Sequence, residues 1–132
     1  MSEYDGLRFI FDYYLIGITE KDLKDSTSVI ATKYRQHYNK ISNEMGYKNA
    51  PPEAFINYLS CDAMLKKQYS RAKALLQLNI ENYPNSNNVY DSYADYLIAK
   101  HDSMNAITNY KKALAIKNDA AIPSKLDALT HP

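Results

Sequence analysis

Two stretches of this chain, 53–86 and 87–120, align place for place without a gap. Ser60 matches Ala94, Ala72 matches Ala106, and Leu76 matches Tyr110. Leu59, Tyr69 and Pro84 add large or turn-forming residues to the first stretch, and Tyr90 and Ala113 to the second. Each unit holds two runs of helical periodicity with a small residue near the middle of each run. A unit of about 34 residues built from two helices cannot bury its apolar face alone, so neighbouring units must stack. The chain is thereby confined to packed helix hairpins. Such a stack offers a surface for binding before it offers a reaction.

The rest of the chain reads as flanking layers. Leu7, Ile10, Phe11 and Tyr14 recur at helical spacing, with Phe9, Tyr13 and Ile16 on neighbouring faces, which predicts a helix over 4–15 that needs cover on several sides. Residues 17–25 are expected to be a charged linker. A long helix is predicted over 27–45, capped by Ser26 or Thr27. Its stripe runs through Val29, Ile30, Tyr34, Tyr38 and Ile41, with Lys33 and His37 at the edge, and Gly46 closes it in the left-handed region. Pro51-Pro52 opens the first unit, since a proline in the first turn loses no hydrogen bond. Helices are expected at about 52–66, 70–82, 88–100 and 103–117, with Asp102 or Ser103 as an N-cap. A last helix, about 122–130, starting near Pro123 and presenting Leu126 and Leu129, would cover the open end of the stack. The expected class is all-α, about seven helices.

Composition narrows function mainly by exclusion. The formal net charge is +1 and no basic patch stands out, so nucleic acid is not an expected partner. No apolar run approaches the ~20 residues that span a bilayer. The single cysteine, Cys61, permits no internal disulfide, and His37, His101 and His131 are too far apart for metal-ligand spacing. No cofactor motif is present. Thirteen tyrosines and no tryptophan suit thin helix seams, where a ring packs and its hydroxyl stays at the wet edge.

The repeat resembles the tetratricopeptide family in its small residues at 60, 72, 94 and 106, its aromatic place at Tyr110 and its closing Pro84. Asn118, Asn79 and His101 depart from that pattern at a closing proline, an alanine and a turn glycine. The resemblance implies a right-handed superhelical stack of hairpins, two repeats plus flanking helices, over 26–132. A second resemblance covers nearly the whole chain. It is carried by YDGLRFIFDYY at 4–14, HY at 37–38, Ser42, GY at 46–47, PPE at 51–53, Asn57 and NIENYPNSNNVYDSYADYL at 79–97. These are similar to the C-terminal part of bacterial esterases of the α/β-hydrolase superfamily, of the siderophore (enterochelin-type) kind, which carry a tetratricopeptide tail. That resemblance implies that 1–16 is the exit segment of an upstream hydrolase domain and that the remainder is an appended, non-catalytic accessory domain. It also implies a periplasmic or cell-envelope setting. No G-x-S-x-G elbow occurs, so no catalytic residue carries over.

The candidate surfaces follow. The inner helix places of the stack are Ala54, Asn57, Cys61, Asn88, Asp91 and Asp95, a groove with no lysine and two acidic places. It is therefore expected not to grip acidic C-terminal tails. Asp91 and Asp95, one turn apart, read as a solvated acidic spot. Asp91, Ser92 and His101 do not read as a triad, because helix neighbours diverge and His101 lies ~15 Å along the axis. His37 reads as a seam residue, Cys61 as a packing or surface thiol, and Tyr90, Tyr93, Tyr96 and Tyr110 as core. The apolar segment with Leu7, Phe9, Ile10, Phe11 and Tyr14 is the candidate docking surface, for the hydrolase domain, another protein or a second copy of the chain. The alternative is a free-standing adaptor that binds a peptide in the concave groove.

Overall fold

The computed structural model describes residues 16–24 and 27–130. Those residues are helical, with no strand among them. The helices are α1 (Glu20–Lys24), α2 (Val29–Met45), α3 (Glu53–Leu65), α4 (Tyr69–Asn82), α5 (Asn87–Ala99), α6 (Ser103–Ile116) and α7 (Ala121–Thr130). The predicted helix at 4–15, with Leu7, Phe9, Ile10, Phe11 and Tyr14, lies outside the described residues.

The repeat is exact to the residue in secondary structure. Glu53 and Asn87 begin the first helix of each unit, and Leu65 and Ala99 end it. Tyr69 and Ser103 begin the second helix, and Asn82 and Ile116 end it. The turns repeat bond for bond. The Gln68 N–H donates to the Ala63 carbonyl at 2.8 Å, and the Asp102 N–H donates to Leu97 at 2.8 Å. At the apex stand Lys67 (φ 58°) and His101 (φ 62°), both exposed and both in the left-handed region that favours glycine. The missing turn glycine at His101 is thus matched by Lys67 in the first unit. Only Asp102 adds a side-chain cap, accepting the Asn105 N–H at 3.3 Å.

α3 packs on α4, α4 on α5, α5 on α6 and α6 on α7, while α2 lies against α4. Two cores result. The first joins Ile30, Ala31 and Tyr34 of α2 to Ile56, Leu59, Leu75 and Leu78. The second joins Ala72 and Leu76 to Val89, Tyr90, Ala94, Tyr96, Leu97, Ala106 and Tyr110, and is closed by Ile122 from α7. Ile122 is fully buried, whereas Leu126 and Leu129 are partly buried at its margin. α7 begins at Ala121, whose N–H donates to Asp119 Oδ1 at 3.0 Å, two residues before the expected start at Pro123. The proline sits in the first turn, where no intrahelical donor is required. At the other end, Gly46 closes α2 with φ 77°, its N–H donating to Ser42.

Over its described part, 17–24, the expected linker is not plain. Thr19 and Asp22 form a capping box: the Thr19 N–H donates to Asp22 Oδ2 at 2.9 Å, and the Asp22 N–H donates to Thr19 Oγ1 at 3.2 Å. That box starts the short helix α1, which is fastened to the stack. Lys33 Nζ donates to the Gly17 carbonyl at 2.9 Å and pairs with Asp22, and Arg71 of α4 donates to the Asp22 carbonyl at 2.9 Å. Ile16 and Ile18 pack on the first core. The hydrogen bond from Lys33, then that from the Thr19 N–H, holds the Asp22 carboxyl below its ordinary pKa of 3.8. Ser26 lies outside the described residues, and Ser28 precedes α2 without a side-chain cap.

Two substitutions test these assignments. His101→Gly relieves the left-handed apex without touching the core and is expected to stabilise the chain by about 1 kcal/mol in urea unfolding. Ile122→Ala removes the anchor of α7 and is expected to cost about 2–5 kcal/mol. A neutral result for Ile122→Ala would mean that α7 does not close the second core.

Candidate functional site

The inner faces of α3 and α5 meet along a narrower seam than either helix makes with its hairpin partner, and this seam opens into a groove. Two adjoining cavities occupy it. One, of about 300 Å³, is lined by Glu53, Ala54, Asn57, Asn79, Asn88, Val89, Asp91 and Ser92. The other, of about 380 Å³, is lined by Ser60, Cys61, Met64, Leu65, Leu76, Ser92 and Asp95. All six inner places predicted from the sequence therefore line the groove, divided between a polar end and an apolar end, with Ser92 shared by both.

Ser60, at the position of the small residue, is fully buried and donates to the Asn57 carbonyl at 2.8 Å. Ser92 Oγ donates to Asn57 Oδ1 at 2.6 Å, tying α5 to α3 across the groove. Glu53 accepts from Ser86 Oγ, which fixes the entrance of α3 to the turn between the units. Asn79 of α4 is 1 % exposed and forms part of the polar wall. Its Nδ2 donates to the Glu53 carbonyl at 3.0 Å, while its Oδ1 is buried without a hydrogen-bond partner. Asn79 thus puts a polar side chain into the groove wall.

The acidic pair is not simply solvated. Lys125 of α7 reaches over α5: its Nζ donates to Asp91 Oδ1 at 2.9 Å and to both oxygens of Asp95 at 3.3 Å. Tyr110 of α6 donates its hydroxyl to Asp95 Oδ1 from below, and the Lys125 ammonium lies 5.5 Å from the centre of the Tyr110 ring. The groove does have a lysine neighbour, supplied from outside the repeats. No local sequence rule could place it there, because it lies 34 and 30 residues from its partners. Burial, then the hydrogen bond to Asp95, drives the Tyr110 hydroxyl well above its ordinary pKa of 10.0. Burial pulls the Lys125 ammonium down, but Asp91 and Asp95 outweigh it and leave the pKa above 10.5.

The remaining candidates are placed as follows. Asp91, Ser92 and His101 are bound up separately: Asp91 with Lys125, Ser92 with Asn57, and His101 at an exposed turn. Cys61 is exposed on the groove wall, and burial of its sulfur, then the charge of Asp95, raises its pKa above 9.0. A thiol so placed stays protonated near neutral pH and is a poor nucleophile. His37 sets its ring edge-on to Tyr38, with centroids 5.3 Å apart. Tyr90, Tyr96 and Tyr110 are buried in the second core, and Tyr93 stacks on Tyr96 at 5.8 Å. Among the described residues, no three His, Cys, Asp or Glu side chains converge as metal ligands. Nor, among them, is any helix long and apolar enough to cross a membrane. The chain matches no protein-family model, no curated protein and no solved structure.

The raised values of Tyr110 and Lys125 fix the sign of an alkaline effect. Both groups hold their protons more tightly folded than unfolded. Their stabilisation is complete below their ordinary values of 10.0 and 10.5 and is lost as pH rises through the folded values. Tyr110→Phe is expected to cost about 1–3 kcal/mol at neutral pH and to flatten the fall in stability above pH 10.0. Chemical unfolding at neutral and alkaline pH, with tyrosinate absorbance, measures both. A Tyr110→Phe chain that falls as steeply as the parent would remove the Asp95 bond from this account.

Proposed function

We propose that this chain is a non-catalytic protein-interaction domain, a tetratricopeptide-like stack of two hairpins with flanking helices, whose working surface is the α3/α5 groove. The observation that carries the reading is the convergence of Asn57, Cys61, Asn88, Asp91 and Asp95 on one open groove with distinct polar and apolar ends. The hairpin boundaries, repeated at the same spacing in both units, support the tetratricopeptide-like assignment. The sequence resemblance over 4–14 and 79–97 supports a setting as the accessory domain of a serine esterase of the α/β-hydrolase superfamily. In that setting the stack packs on the hydrolase domain or holds a segment near its entrance, and residues 4–16 lead in from the enzyme.

The chemistry of the groove favours holding over turnover. Its hydroxyls are spent on helix ties, and its thiol is held in the protonated form. A nucleophile needs a base within hydrogen-bond reach, and neither Ser60 nor Ser92 has one.

Panning a random-peptide display library on the chain tests the reading. Binders are expected, and Leu65→Arg, at an exposed position beside the apolar cavity, is expected to abolish their capture. A chromogenic ester is expected to be hydrolysed no faster than in buffer. Binders indifferent to Leu65→Arg, or esterase activity that follows the chain through purification, would overturn the proposal.

A further inference from the structure

The division of the groove specifies the chemistry of its occupant. At the apolar end, Met64 and Leu76 back a cavity of about 380 Å³, room for one large side chain, and Leu65 stands beside it 85 % exposed. Leu65 at the lip extends the apolar surface of the cavity onto the outer face of the stack. Asp95 belongs to the wall of that same cavity, and Asp91 lies one turn away in the polar one. Among the described residues, three carboxylates, Glu53, Asp91 and Asp95, line the two cavities and the ammonium of Lys125 pairs with two of them, which leaves two formal negative charges. The polar end adds acceptors. Asn79 forms part of its wall. Asn57 and Asn88 border the same space.

We infer that the groove takes an extended peptide that carries a large apolar side chain and, beside it, a lysine or arginine. The apolar side chain fills the cavity walled by Met64, Leu65 and Leu76. The cation shares Asp91 and Asp95 with Lys125 or replaces it. The backbone of the peptide runs along the asparagines. α3 has 13 residues. At 1.5 Å per residue that is ~20 Å, the reach of an extended peptide of about six residues. This inference rests on the interaction-domain reading and adds the partner's chemistry to it. Acidic peptides are disfavoured by the same two charges.

The test uses three fluorescein-labelled peptides of about six residues, read by anisotropy on the full chain. One carries leucine next to lysine, the second leucine next to glutamate, and the third serine next to lysine. The leucine–lysine peptide is expected to bind with a Kd of roughly micromolar order, and each of the others about tenfold or more weakly. Raising the salt is expected to weaken the leucine–lysine complex and to leave the leucine–glutamate one no stronger than it. Leu65→Ser and Asp91→Asn are expected to weaken the leucine–lysine peptide, while Lys125→Met, which removes the competing ammonium, is expected to tighten it several-fold. Circular dichroism melts of each variant show that the stack is folded when these values are read. Equal binding of the lysine and glutamate peptides, or weaker binding after Lys125→Met, would overturn the assignment of the partner while leaving the groove a peptide site. Loss of all three peptides together with library binders indifferent to Leu65→Arg would overturn the underlying reading as well.

Discussion

The close crossing of the hairpin helices governs everything else in this structure. Ala72, Ala94, Ala106 and Ala113 have no exposed surface at all, and Ser60 has none either. These short side chains let neighbouring helices approach to a distance at which Leu76 and Tyr110 reach across and fill the second core. A larger group at any of them would force strain into a close-packed interior. The tight seam on one side of each hairpin also has a consequence on the other. It turns the inner faces of α3 and α5 toward each other, with the Ser92–Asn57 hydrogen bond bridging the gap, and a groove remains.

The tyrosines answer a second constraint, that the turns between helices leave backbone carbonyls in need of donors. The Tyr83 hydroxyl donates to the Pro51 carbonyl at 2.8 Å, and the Tyr90 hydroxyl donates to Pro84 at 2.7 Å. In both cases a ring packs in a seam and its tip reaches a proline carbonyl at a helix boundary. Tyr110 uses the same device on a carboxylate. A phenylalanine at these places would pack equally well but would take the tyrosine donor away from each carbonyl, that of the buried Pro51 included. The unusual abundance of tyrosine is thus the polar half of the same packing solution.

What was legible in the sequence follows from the range of the forces involved. Helix limits are set by local signals, and the two units, Gly46, Asp102 and the small residues at 60, 72, 94 and 106 stand where the periodicity puts them. The six groove places came from the tetratricopeptide resemblance, which implies which positions face inward; helical spacing by itself puts 54, 57 and 61 on one face of α3 and 88, 91 and 95 on one face of α5. The capping box of Thr19 and Asp22 was equally local, but a surplus of charge made 17–25 look like a linker. The signal lay in the Thr-x-x-Asp spacing rather than in the composition. Lys125 and Arg71 were not legible. Arg71 reaches back 49 residues to Asp22, and Lys125 reaches back 34 to Asp91, and a pattern read within one helix carries no information about such a reach. Ile122 fell inside the expected last helix, but Leu126 and Leu129 were taken as its covering residues, and the burial of Ile122 depends on the fold of the whole stack.

Those long-range ties decide what kind of site the groove can be. An uncompensated pair of carboxylates one turn apart would repel and expose α5 to local opening. With Lys125 above and the Tyr110 hydroxyl below, the pair is held in place yet remains in partial contact with water, at 20 % and 46 % side-chain exposure. Lys125 is held by its hydrogen bonds to both carboxylates and by the Tyr110 ring, yet at 35 % exposure its ionic contact is screened by water in a way that a fully buried pair is not. α7 itself does not depend on that contact, because Ile122 anchors it from within the core. α7 thus joins the stack twice, through an apolar anchor inside the core and through an ionic contact at the groove, and the cation proposed for the groove acts on the second alone.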